Sequence, residues 1–153
     1  MISSAQTIVT QQGLRNRKFF AARAGIALLA LLLPLTGFSA SPRINYLLHC
    51  SGCHLPGGEG NPPNVPTLHQ ELGRMLSVPA MRTYLVRVPG AAYSPLSDAE
   101  LADVANWILL QFNAETLPSG FEPLSADEVN SARSDTLANP LEYRIEHWKN
   151  YSK

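Results

Sequence analysis

The stretch Ile44-Asn45-Tyr46-Leu47-Leu48-His49-Cys50-Ser51-Gly52-Cys53-His54 carries both cysteines of the chain, and its last five residues decide how the rest is read. They form C-x-x-C-H, the attachment motif for a c-type haem. Positions three apart lie on one face of a helical turn, so both sulfurs reach the two vinyl groups of one porphyrin. The adjacent His54 then projects its imidazole towards the iron as an axial ligand. Gly52, between the cysteines, leaves room for the porphyrin edge. A redox-active C-x-x-C would need a βαβ setting, and no convincing strands flank it. A zinc site would need further ligands at suitable spacing, and only His49, His69 and His147 remain. The motif therefore points to one covalently attached haem c, held by Cys50 and Cys53 and ligated by His54. His49 points away from the cysteine face and reads as a surface or packing residue.

Working outward, the residues before the motif read as an export leader. Arg15, Arg17, Lys18 and Arg23 form a basic cluster ahead of the apolar run Ala24–Leu33. A basic flank, an apolar run and the small-x-small site Gly37-Phe38-Ser39 fit a signal peptide over 1–39. The competing reading is a retained anchor, although Pro34 interrupts the run and it is shorter than the roughly 20 residues that span a bilayer. Either way the remainder is exported, and membrane contact follows only if the leader is uncleaved.

Beyond the motif, Leu55–Val65 is rich in glycine and proline and reads as an irregular loop. A short helix is expected at Leu68–Leu76, and another from Pro79 through Arg87, ended by Pro89 and Gly90. Ser97-Asp98-Ala99-Glu100 is a capping box. Leu101, Val104, Ala105, Ile108 and Phe112 follow it at helical spacing.

Ile44–His54, Pro66-Thr67-Leu68 and Leu96–Phe112 together resemble a monohaem cytochrome c of the class I type. The resemblance implies an all-α fold in which the first and last helices of a small haem domain cross, bringing Tyr46 and Leu47 to the face around Ala105, Ile108 and Trp107. It also implies that a proline carbonyl accepts the other ring N–H of the haem histidine. Pro66, twelve residues after His54, is the candidate, with Pro62 and Pro63 as rivals. Such a bond would orient the imidazole and raise its basicity.

The same resemblance implies a methionine just before the final helix as the sixth iron ligand. This chain has Ser94-Pro95 there. Met75 and Met81 are the methionines after the leader. Met81 is the first candidate for the sixth ligand, an open or water-filled site the second, and Tyr93 the third. Arg43, Arg74, Arg82 and Arg87 are candidates for pairing with haem propionates, because guanidinium forks match carboxylates.

The haem domain is expected over 40–115 and a helical C-terminal extension over 116–153. Ser125-Ala126-Asp127-Glu128 repeats the capping-box pattern. Asn139-Pro140 opens a second amphipathic helix, with Leu141, Ile145 and Trp148 on one face that docks on the haem domain or on a partner.

Composition narrows the function. The 153 residues are 45% hydrophobic, which excludes a wholly disordered chain. Twelve Lys+Arg against twelve Asp+Glu exclude a strongly basic nucleic-acid binder. Four of those cations precede position 40 and every acid follows it, so the exported part carries a net charge of −4. No catalytic constellation is visible. The expectation is a periplasmic electron-transfer protein rather than an enzyme. It would work as a soluble carrier or as a subunit, with a redox partner protein such as a dehydrogenase, terminal oxidase or cytochrome. The alternative is an open iron that binds small gases or turns over peroxide.

Overall fold

Ser41 and Pro42 start the first helix. The Ser41 hydroxyl accepts from the Ile44 N–H at 3.4 Å, and proline at the first helical position loses no hydrogen bond. The computed structural model describes residues 39–148 except Pro63. The leader expected over 1–39 lies outside the described residues apart from Ser39. The described residues belong to one compact unit.

The described helices are α1 (Pro42–His49), α2 (Ser51–His54), α3 (Glu71–Met75), α4 (Tyr84–Arg87), α5 (Pro89–Ala92), α6 (Asp98–Asn113), α7 (Ala126–Arg133) and α8 (Pro140–Trp148), with single 3-10 turns at Pro79–Met81 and Ala114–Thr116. Among the described residues the β structure is one isolated bridge, Asn61 to Val65, so the fold is all-α as expected. No described helix is long and apolar enough to cross a membrane.

Several element boundaries differ from expectation for local reasons. The helix leading into the motif breaks at Cys50, whose φ of −122° separates α1 from α2. Two hydrogen bonds span the break, from Cys50 N to Tyr46 O at 2.9 Å and from His54 N to Cys50 O at 3.0 Å. The expected 79–87 helix is a 3-10 turn followed by α4, because Met81 and Arg82 bond back three residues rather than four. The expected end at Arg87 holds, and Pro89 also opens α5, again at the position where its missing N–H costs nothing.

Helix α6 forms as its capping box predicts. Ser97 Oγ accepts from Glu100 N at 3.3 Å, while the Glu100 carboxylate accepts from Ser97 N at 3.0 Å. Helix α1 packs on it, with the buried Tyr46 ring 5.1 Å from Trp107 and 5.8 Å from Phe112. Such aromatic contacts contribute about 0.5–1.5 kcal/mol each beyond simple burial.

The extension shares this core. Leu124, Val129 and Leu137 are buried, each worth about 1.5–3 kcal/mol relative to exposure. Asn106 clasps Leu124 at both backbone atoms, donating to its carbonyl at 2.9 Å and accepting from its N–H at 2.8 Å. Helix α7 packs against α6 and α4.

The apolar face of α8 meets the domain only in part. Leu141 and Ile145 are 65% and 56% exposed, while Trp148 alone of the expected trio is buried. The surface beneath α8 is mixed: the Tyr143 ring stacks on Tyr84 at 6.3 Å, and polar partners surround it. Tyr143 donates to Ala80 O at 2.9 Å and accepts from Arg87 at 3.1 Å, and Arg144 pairs with Glu71.

Candidate functional site

The loop after the motif is folded by its glycines and by short-range hydrogen bonds. Leu55, Gly58 and Gly60 have positive φ, which turns the chain back on itself. Gly60 N donates to His54 O at 3.0 Å and Leu68 N to Gly58 O at 2.8 Å. Asn61 and Val65 exchange two bonds that pinch the loop tip. His69 donates through Nε2 to Gly57 O at 2.7 Å, and the Tyr46 hydroxyl donates to Leu55 O. Burial, and behind it the charges of Cys50 and Glu59, push that phenol up to about 12.

This folding brings the Pro66 carbonyl to 3.1 Å from Nδ1 of His54. A carbonyl oxygen only accepts, so the proton sits on Nδ1 and the lone pair on Nε2 is left available. Burial holds the His54 pKa below its ordinary value, partly opposed by the Pro66 bond. The outcome is a neutral imidazole of one tautomer, the form that ligates a metal. Gly60 is part of the arrangement: a Cβ there would lie 2.5 Å from the Pro66 oxygen.

Cys50, Cys53, His54 and Pro66 all line one cavity of about 310 Å³, within the usual range of about 300–1,000 Å³ for cofactor sites. Its floor is Leu68 with Leu101, Val104, Ala105 and Ile108 of α6, and a facing wall is built from Leu85, Val86, Val88, Gly90 and Ala91. The side chains of floor and wall are hydrocarbon throughout. Neither cysteine is in a disulfide. Burial, then the neighbouring Cys53, raises the Cys50 thiol above its ordinary pKa. An apolar slot edged by two free thiols and a lone pair on nitrogen fits a haem c.

Other expected residues stand elsewhere. Met81 is 1% exposed in the core, outside the cavity lining, and Met75 is likewise buried away from it. Tyr93 is 77% exposed and also outside the lining. The structure thus does not bring the methionine or tyrosine candidates to the cavity that His54 enters. His49 differs from expectation in the other direction: it is exposed yet belongs to the cavity rim. Of the four arginines named for propionates, two are engaged by the extension. Arg82 pairs with Glu128 at 2.6 Å and Arg87 with Asp135 at 2.6 Å.

Sequence reasoning passed over Arg133. Its guanidinium reaches the carbonyls of Ala92, Ser94 and Leu96 and the carboxylate of Asp98. These partners lie 35 to 41 residues away in sequence, so no local spacing could have signalled them.

No protein-family model matches the chain. It is 29% identical over 106 residues to cytochrome c-552 of Thermus thermophilus, an alignment covering 58% of this chain and 81% of that protein. A second cytochrome c-552 from the same species is also 29% identical over 106 residues, with 72% of it covered. That likeness falls on an all-helical chain whose two thiols and oriented imidazole open into one apolar slot, and together they support a distant kinship with the c-type cytochromes.

Proposed function

We propose that the protein carries single electrons outside the cytoplasm by means of one haem c held in this cavity. Cys50 and Cys53 would each add a thiol across a vinyl group, and Nε2 of His54 would ligate the iron. When bound, the haem supplies a one-electron Fe(III)/Fe(II) couple. The chain's own contribution is to attach, orient and keep dry. Pro66 holds the imidazole through Nδ1 and raises its basicity. The hydrocarbon floor and wall exclude water and so bias the potential.

The observation that carries this reading is the 3.1 Å contact of His54 Nδ1 with Pro66 O, which leaves Nε2 free at a cavity edged by both cysteines. The test is acid-acetone extraction of purified protein. Haem that stays with the polypeptide, and is lost in the Cys50→Ala/Cys53→Ala double variant, is the expected result; extractable haem overturns covalent attachment.

The basic cluster and apolar run before residue 40 support export to the periplasm, with a membrane tether if the leader is retained. The net charge of −4 beyond the leader favours a redox partner with a basic contact surface. A dehydrogenase or a terminal oxidase would serve. Electron-transfer rates that fall with added salt are expected for that contact, and rates indifferent to salt point to an apolar one.

One observation favours a second reading at the same site. Among the described residues, the lining contributed by Leu85, Val86, Val88, Gly90 and Ala91 offers no side chain able to ligate iron, which suits an iron that binds small neutral gases. Rapid carbon monoxide binding by the reduced protein is the expected mark of that reading.

A further inference from the structure

The segment between Arg87 and Asp98 forms part of the cavity wall and the link from α5 to α6, and it is fastened from outside by the extension. Arg133 uses all five of its N–H groups on this segment. Nε donates to Ala92 O at 3.1 Å and Nη2 to Ala92 O at 2.8 Å and Ser94 O at 2.9 Å; Nη1 donates to Leu96 O at 2.9 Å and Asp98 Oδ1 at 3.0 Å. Asn130 donates to the other Asp98 oxygen at 2.6 Å. At the far end of the segment, Leu137 N donates to Arg87 O at 3.0 Å. The Arg133 side chain is only 17% exposed, so these bonds are made largely out of water.

This is a heavy investment in a stretch that carries Ser94-Pro95. With no ligating side chain on the wall, the segment has no bond to a metal to hold it. A planar fork of five donors can gather three diverging carbonyls and a carboxylate at once, which an ammonium cannot.

We propose that Arg133 is a positioning residue for the cofactor site: by binding the 92–98 segment it keeps the wall opposite His54 closed, and so controls how fast a small ligand reaches that side. The proposal rests on the haem reading given above. It assigns to the C-terminal extension the task that a methionine ligand would perform by coordination. Val86, Ala92 and Leu96 also pack into the core, so losing the Arg133 bonds loosens the wall without unfolding it, since local opening follows the contacts that secure a segment.

The experiment compares carbon monoxide binding rates of reduced wild-type holoprotein with those of Arg133→Met, Arg133→Lys and Arg82→Met, alongside thermal unfolding of each. Arg82 also ties the extension to the domain, through Glu128 and the carbonyls of Glu122 and Pro123, but does not touch the 92–98 segment. The expected result is a rate about tenfold faster in Arg133→Met, reflecting an opened wall, with Arg133→Lys between it and wild type. Arg82→Met should lower the thermal midpoint while keeping the wild-type rate. If Arg133→Met does not fold, the Arg133→Lys rate decides. Rates in the Arg133 variants equal to wild type overturn the proposal, as does an equal acceleration in Arg82→Met, which would mark a merely structural role. A wild-type protein that binds no carbon monoxide, with a visible spectrum unchanged in Arg133→Met, overturns it too. Wild-type protein that carries no haem overturns the functional reading itself and is recognised before any variant is made.

Discussion

The two sides of the cavity are built in opposite ways. On the His54 side, the motif, the loop and Pro66 lie within a span of 17 residues, and the decisive contact joins positions twelve apart. On the facing side, the 92–98 segment is secured by Arg133, 35 to 41 positions later, and Arg87 beside the wall by Asp135, 48 positions later. The first is a self-contained turn of chain whose geometry follows from glycines and proline in place. The second has local turns and buried side chains of its own, but its carbonyls at Ala92, Ser94 and Leu96 are gathered by a separate helix. A motif can therefore report half of a site accurately and say nothing about the half it faces.

Perturbing each side separately would sharpen or break this contrast. The largest effect is expected from Asn113→Leu, beneath the His54 side. Buried Asn113 accepts from Gly73 N at 3.1 Å and donates to Leu68 O at 2.9 Å. Leaving both of those backbone groups without partners should cost about 3 kcal/mol in urea unfolding; a change under about 1 kcal/mol would mean the loop's floor does not depend on that bridge.

Gly60→Ala comes next. Its positive φ of 66° and the 2.5 Å approach of a Cβ to the Pro66 oxygen should together cost about 2 kcal/mol. The same variant should weaken the Nδ1–H bond of His54, visible as a shifted ring N–H proton resonance. An unshifted resonance would uncouple Gly60 from the imidazole.

On the facing side a pH effect is expected. Hydrogen bonds from Asn130 and Arg133 hold Asp98 below its ordinary value of 3.8, and those from Ser97 hold Glu100 below 4.5. Groups with lowered folded pKa values add stability that is present above the ordinary values and is lost as pH falls through the lowered ones. The thermal midpoint should thus drop in acid below those ordinary values, and Asp98→Asn should flatten the drop. A profile with the same slope in the variant would remove Asp98 from the fastening.

The smallest effect is expected from Ser94→Ala. The Ser94 hydroxyl is buried without a hydrogen-bond partner, so its removal should be neutral or stabilising by up to about 1 kcal/mol. A loss of stability in calorimetry would show that the hydroxyl has a bond worth keeping.

What the sequence made legible follows the same division. C-x-x-C-H, Pro66 at its spacing and the Ser97 capping box are local patterns, and the chain folds around each as read. The sixth-ligand candidates fared differently. Met81 could be counted from His54, but a 3-10 turn rather than a full helix decides where it goes, and it goes into the core. The docking face of α8 escapes a sequence reading because apolar periodicity assumes an apolar partner surface. The surface it meets instead presents the Ala80 carbonyl, Arg87 and Glu71, which Tyr143 and Arg144 answer. Neither a hydropathy pattern nor a spacing contains that information, because it resides in another part of the chain.

The distance in sequence between Arg133 and the segment it grips also orders events in time. Closing a loop of twelve residues costs less chain entropy than closing one of about forty, and near contacts form sooner. The His54–Pro66 turn can therefore be complete before Arg133 reaches its partners. By loop length alone, the His54 side of the slot is expected to close before the side that Arg133 fastens.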